Sequence, residues 1–186
     1  MVASSSATGQ IQFFNLPDSA IVVDGNPATK MFGSAGTYDF GLYMGSAGTL
    51  SISDMQLVAL ATSPNAPAAT SFNAGIFAYL PNRIVTSPGN VANTLNFQAG
   101  TQYAFYVAGW QASGGSDFFT ADASGVETGL SSLGFITPAT GTTPIPNVFG
   151  TSPGQVLGFL IGTPEPSTLA LGGLGAAALL LLRRSK

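Results

Sequence analysis

The sequence contains no cysteine and no histidine, and only 7% of its 186 residues are charged. Without cysteine there are no disulfides and no thiolate ligands for a metal. Without histidine the commonest general base, the usual partner of a nucleophilic serine and the commonest zinc ligand are missing too. Charge is scarce against the usual level of about a quarter, so the surface must be polar without being ionic. Before Pro164 the only basic residues are Lys30 and Arg83, facing Asp18, Asp24, Asp39, Asp54, Asp117, Asp122 and Glu127, a net charge of −5 for that part. No basic stripe is there to neutralise phosphates, which excludes nucleic-acid binding, and the acidic balance disfavours anionic lipid. The opening stretch Met1 to Ala7 has neither a positive charge nor an apolar run. Its small residues resemble the cleavage region of a secretory signal, so the true start is expected upstream, and an in-frame stop codon just before Met1 would overturn that expectation.

What the chain does have is a series of short β-branched and aromatic runs separated by Gly, Pro, Asn and Ser. This predicts an all-β fold, an antiparallel β-sandwich of jelly-roll type with about nine strands, followed by one C-terminal hydrophobic helix. Thr37 to Met44 alternates, with Tyr38, Phe40, Leu42 and Met44 on one face, and reads as a half-buried strand. Gln102 to Trp110 is apolar on both faces and reads as a central one. Between Leu50 and Leu60 the apolar residues change parity, which requires a bulge or turn near Ser53 and Asp54. Further strands are expected at Gln10 to Phe14, Ala20 to Val23, Asn73 to Leu80, Thr94 to Phe97, Leu133 to Ile136 and Gln155 to Ile161. Residues 1–163 form one body on this reading and 164–186 a separate tail.

Chemistry in the body would have to come from carboxylates, aromatics or both. Asp117, Asp122 and Glu127 form the one acidic cluster and could offer hard oxygen ligands to calcium or the paired acids of a glycan hydrolase. In a Gly- and Ser-rich setting they read first as solvated turn residues. Tyr43, Tyr79, Tyr106 and Trp110 could stack on sugar rings of an extracellular polysaccharide, with burial in the core as the competing reading for Tyr106 and Trp110. No catalytic residue, metal site or cofactor is expected.

The strongest signal is the tail. Pro164-Glu165-Pro166 precedes an uncharged run from Leu169 to Leu182 and the basic end Arg183, Arg184 and Lys186. Fourteen helical residues rise about 21 Å against a hydrocarbon core of about 30 Å, which is short for a permanent anchor. Gly172, Gly173 and Gly175 would each cost about 1 kcal/mol in a water-exposed helix but are at home in a membrane. Gly172, Gly175 and Ala176 also form a small-residue stripe against which another helix can pack, while Leu169, Leu171, Leu179 and Leu182 contribute apolar bulk. The basic end would stay cytoplasmic, placing the body on the far side.

Motif, apolar run and basic end, in this order and spacing, closely resemble the PEP-CTERM protein-sorting signal of Gram-negative, exopolysaccharide-producing bacteria. The resemblance implies that Pro164, Glu165 and Pro166 are recognised by a membrane-embedded sorting protease of the exosortase type, which removes the transiently inserted helix. It implies a non-enzymatic protein destined for the cell surface or extracellular matrix. A carbohydrate-binding module and a carboxylate-dependent glycan hydrolase are the two alternatives.

Overall fold

Two nine-residue strands, β3 (Tyr38–Ser46) and β6 (Tyr103–Gln111), pair antiparallel along their whole length, from Tyr38 opposite Gln111 to Ser46 opposite Tyr103. They are the longest elements of the computed structural model, which describes residues 7–23, 28–80, 82–141 and 143–162. Around them lie, in chain order, β1 (Gln10–Gln12), β2 (Val22–Val23), β4 (Gln56–Thr62), β5 (Ile84–Thr86), a short helix α1 (Phe118–Ser124), β7 (Thr128–Leu130), β8 (Gly134–Ile136) and β9 (Leu160–Ile161). The main sheet has the order β4-β3-β6, and the far edge of β6 is shared by β7 near Trp110 and β8 near Tyr103.

Opposite this sheet stand two short ladders, β1 with β5 antiparallel and β2 with β9 parallel. Single bridges extend them, among them Phe14 with Ala78 and Gln12 with Asn147. The result is an open β-sandwich whose second layer is built from short pieces. Between the layers sits the larger core: Phe40, Leu42 and Met44 from β3 and Phe105 and Val107 from β6 meet Ile11, Phe13, Phe77 and Phe149. Phe77 is its aromatic centre, stacked on Phe40 at 4.1 Å and edge-on to Phe13 and Phe149 at 5.1 and 5.7 Å. Such geometry contributes about 0.5–1.5 kcal/mol per pair beyond burial.

The outer face of the sheet is covered as well. Ala104, Ala108 and Trp110 of β6 and Tyr43 of β3 form a second cluster with Met55 and with Ala121 of α1. The two faces read from Gln102 to Trp110 therefore exist, large residues inward and alanines with Trp110 under the helix. β3 departs from its expected half-burial, because α1 lies over the face that its alternation left free and Tyr43 is buried with the rest. Small residues make room: a Cβ on Gly41 would meet Leu57, Tyr43 and Trp110.

The parity change before Leu60 is resolved twice over. A 3-10 turn at Ile52–Asp54 precedes β4, and the β3–β4 register slips between Leu42 and Tyr43, leaving Val58 as the extra residue. Val58 and Ala59 then both reach the inner core while Leu57 and Leu60 pack outside, the face change that a bulge allows.

Two expected strands are absent. Asn73 to Leu80 begins in a turn, Ile76 N–H bonding to the Asn73 carbonyl, and touches the sheet only at the Ala78 bridge; Thr94 to Phe97 lies in irregular chain. β5 and β7, three residues each, were not expected. The stretch Pro138 to Pro153 serves as a lead-in that bridges β1 at Ala139 and Asn147 and buries Val148 and Phe149. Among the described residues no helix is long and apolar enough to cross a membrane; the run from Leu169 to Leu182 lies outside them.

Candidate functional site

At one end of the sandwich the loops before β2, after β4 and before β5 enclose a groove of about 500 Å³. Ligand sites typically span about 300–1,000 Å³ and are mainly apolar. Its apolar walls come from Phe14, Leu16, Pro17, Phe72, Ile76 and Leu80. Phe72 is 90% exposed, Leu80 74% and Leu16 42%, although the inner core is full of well-buried aromatics. Apolar side chains grouped in water are a candidate binding surface.

The floor is rigid. Asn15, itself buried, donates through Nδ2 to the carbonyls of Ser19 at 3.0 Å and Gly75 at 2.7 Å, and its Oδ1 accepts the Phe77 N–H at 2.7 Å. One side chain thus ties the Ser19 turn to the 75–77 segment through three bonds beneath the groove. Ser63 Oγ accepts the Tyr38 N–H at 3.1 Å, and Asn73 Nδ2 donates to the Asn65 carbonyl at 3.3 Å.

Arg83 is the one charged residue among the described residues that line the groove. Its guanidinium carbon lies 4.8 Å from the centre of the Phe14 ring, a cation–π contact. Its backbone has φ +65°, rare for a residue with a side chain. The conformation is held from both sides, since Arg83 N–H bonds to the Tyr79 carbonyl at 2.8 Å and the Arg83 carbonyl accepts the Phe13 N–H at 2.8 Å.

The residues singled out in the sequence lie elsewhere. Trp110 is fully buried, its Nε1–H donating to the Gly115 carbonyl at 3.0 Å. Tyr43 is buried too, and burial, reinforced by the nearby Asp117 charge, pushes its hydroxyl up to about 12 against the lowering effect of the Phe118 N–H bond. Neither offers a ring face to a sugar. Tyr106 is half-buried with its hydroxyl on the Leu50 carbonyl, and Tyr79 packs against the inner core.

Asp117, Asp122 and Glu127 are not brought together as ligands. Asp117 caps α1, accepting from Thr120 N–H at 3.0 Å and Thr120 Oγ1 at 2.8 Å. These bonds, the backbone one foremost, hold its carboxyl below the usual range. Asp122 accepts from Thr128 Oγ1 at 3.0 Å and Glu127 from the Tyr38 hydroxyl at 2.7 Å. No set of three metal-ligating side chains occurs among the described residues, and no carboxylate lines the groove. Sequence reading missed the groove because Leu16, Phe72, Leu80 and Arg83 meet only after folding; the stretch Asn73 to Leu80, read as a strand, was its one linear trace.

The sorting residues Pro164, Glu165 and Pro166, the apolar run and the basic end lie outside the described residues. Their sequence matches the family model of the PEP-CTERM protein-sorting motif over residues 162–185. No curated protein and no solved structure matches the chain.

Proposed function

Because the chain ends in a PEP-CTERM protein-sorting motif, the mark of an exported protein handled by an exosortase, we propose that it is a non-enzymatic cargo of that route. An exosortase-type protease in the inner membrane recognises Pro164, Glu165 and Pro166. The run from Leu169 to Leu182 is inserted only in passing, with Arg183, Arg184 and Lys186 on the cytoplasmic side, where basic residues tend to remain. Cleavage frees the β-sandwich for the cell surface or an exopolysaccharide matrix. The match over 162–185 carries this reading.

A non-enzymatic role draws support from the residue inventory. The chain has no histidine or cysteine, and Asp117, Asp122 and Glu127 are each engaged by a neighbouring hydroxyl. Fractionating cells with and without the sorting protease tests the proposal. A shortened chain should appear outside the cell when the protease is present and the full-length chain in the inner membrane when it is absent. Full-length chain in the cytoplasm of both strains would refute it, as would normal processing of a Pro164→Ala, Glu165→Ala double variant.

A further inference from the structure

The groove at the end of the sandwich has an apolar body and one cation, and nothing in the delivery route accounts for it. We propose that it binds an amphiphile made of an alkyl or aryl chain ending in a single carboxylate, with the acid on Arg83 and the chain along Leu16, Phe72, Ile76 and Leu80.

Charge decides the headgroup. The body before Pro164 holds two cations against seven acids, and one of those two stands at this groove with no carboxylate among the lining residues. No salt bridge to Arg83 occurs among the described residues. Its guanidinium carbon lies 4.8 Å from the centre of the Phe14 ring, and the planar fork of arginine is suited to a carboxylate, which it can meet through two parallel N–H bonds. The left-handed backbone at Arg83, held by Tyr79 and Phe13, is strain of the kind concentrated at binding sites. A single cation on an acidic body suits a monoanion and is a poor match for a phosphate dianion.

Hydrogen-bonding capacity decides the rest of the ligand. The lining amide of Asn15 has both its donors and its acceptor committed to backbone, Ser63 Oγ already takes the Tyr38 N–H, and Asn73 Nδ2 is given to Asn65. That leaves few lining side-chain groups, among them Asn73 Oδ1 and Thr62 Oγ1, for the several hydroxyls of a sugar, and each hydroxyl buried without a partner costs about 1–3 kcal/mol. An alkyl or aryl chain loses no such bonds and covers side chains that otherwise stand in water, Phe72 at 90% and Leu80 at 74% exposure.

Photolabelling of the full-length chain with a diazirine-bearing decanoate, read by peptide mass spectrometry, tests the site. Labelling should fall on the segments containing Leu16, Phe72 and Ile76. Decanoate, below its micelle concentration, should compete about ten-fold better than decanol, the ratio expected when one charge-assisted contact is lost, and decyltrimethylammonium should compete least. Arg83→Gln should weaken labelling about ten-fold and abolish the preference for decanoate over decanol. Arg83→Asn, which tolerates the left-handed backbone, should do the same and guards against a folding defect in the first variant. Label confined to residues 169–182, equal competition by acid, alcohol and ammonium, or an unchanged acid preference in both Arg83 variants would each overturn the proposal. Stronger competition by an acidic oligosaccharide than by decanoate would overturn it in favour of a glycan. Failure of export in the fractionation experiment leaves this measurement unaffected, since it uses purified protein.

Discussion

The hydroxyl of Tyr43, in the middle of the central strand, accepts a hydrogen bond from the N–H of Phe118, the first residue of α1, at 3.1 Å. Residues 75 positions apart are thereby joined across the outer cluster, and Tyr43 also meets the Phe119 ring edge-on at 5.9 Å. The lone tryptophan, Trp110, lies in the same cluster and binds the Gly115 carbonyl just before the helix. Its fluorescence therefore reports how well α1 is seated.

Removing that hydroxyl tests the link. Tyr43→Phe should destabilise the protein by about 1 kcal/mol in urea unfolding, the usual worth of one hydrogen bond, and shift Trp110 emission to the red. Its ionisation supplies a second readout. Burial raises the Tyr43 hydroxyl from 10.0 to about 12, so between these values the unfolded chain releases a proton that the folded chain keeps. Stability from this group is complete below pH 10 and is lost as pH rises towards 12. The stability advantage of wild type over Tyr43→Phe should shrink across that window and then change sign, because Tyr43→Phe has no proton to release there; a constant difference would show that the hydroxyl is not buried.

Asp117 acts at the same helix terminus with the opposite sign. Its carboxyl is held below 3.8, chiefly by the Thr120 N–H, so its contribution is present above that value and lost as pH falls through the lowered one. Asp117→Ala should cost about 1 kcal/mol at neutral pH and progressively less in acid, while Asp117→Asn, which keeps a capping oxygen, should cost a few tenths. Because Asp117, Asp122 and Glu127 each bond a different hydroxyl, millimolar calcium should leave the melting temperature of wild type unchanged. A calcium-dependent rise abolished by Asp122→Asn would contradict this.

How much of this was legible depends on the range over which each signal is written. The strand Tyr103–Gln111 could be read because it is apolar on both faces, Phe105 and Val107 on one and Ala104, Ala108 and Trp110 on the other. The tail could be read because its motif is linear and matches a family model over residues 162–185. Helix α1 has seven residues, too few to show a helical period, although its cap Asp117 and its left-handed terminator Gly125 were both visible as residue types. Once α1 is missed, the outer face of β3 looks solvent-exposed and Tyr43 looks like a surface ring, whereas Trp110, on the strand read as apolar on both faces, is buried as that reading has it. Beyond the stretch Asn73 to Leu80 the groove has no linear signature, since Asn15 reaches Gly75 and Phe77 across some sixty positions.

Asn15 carries the floor of that groove, and its replacement should be among the most damaging in the chain. Asn15→Ala leaves the Phe77 N–H and the Ser19 carbonyl without their partner, while the Gly75 carbonyl keeps the Ile21 N–H; at about 1–3 kcal/mol per orphaned buried group, a loss of about 3 kcal/mol is expected. Asn15→Asp keeps the acceptor for Phe77 but gives up both donors and turns a negative oxygen towards two carbonyls. It should destabilise at least as much as alanine at neutral pH and less when protonated in acid. Denaturant midpoints of the two variants across pH measure this, and a benign Asn15→Asp would refute the bonding pattern.

The edge of the main sheet depends on a glycine in the loop after β5. Asn90 clamps the edge strand β4 from outside, its Oδ1 accepting the Leu60 N–H at 2.9 Å and its Nδ2 donating to the Leu60 carbonyl at 3.1 Å, while Gln56 Oε1 accepts the Thr94 N–H at 2.8 Å. The loop thus occupies backbone groups that an exposed edge would offer to another chain. It can lie so close because Gly89 has φ +102° and no side chain; a Cβ there would run into the carbonyl oxygen of Val58, the bulge residue of β4. Gly36 has a similar left-handed φ of +78° but open space around it, which separates backbone strain from collision. Gly36→Ala should cost about 1 kcal/mol, the strain alone, and Gly89→Ala about 3 kcal/mol or more, because the loop must also lift from Val58. Lifting it uncovers the β4 edge, so Gly89→Ala should aggregate on mild heating where Gly36→Ala does not. Light scattering during a thermal ramp distinguishes the two, and identical behaviour would mean that the 88–94 loop does not guard the edge.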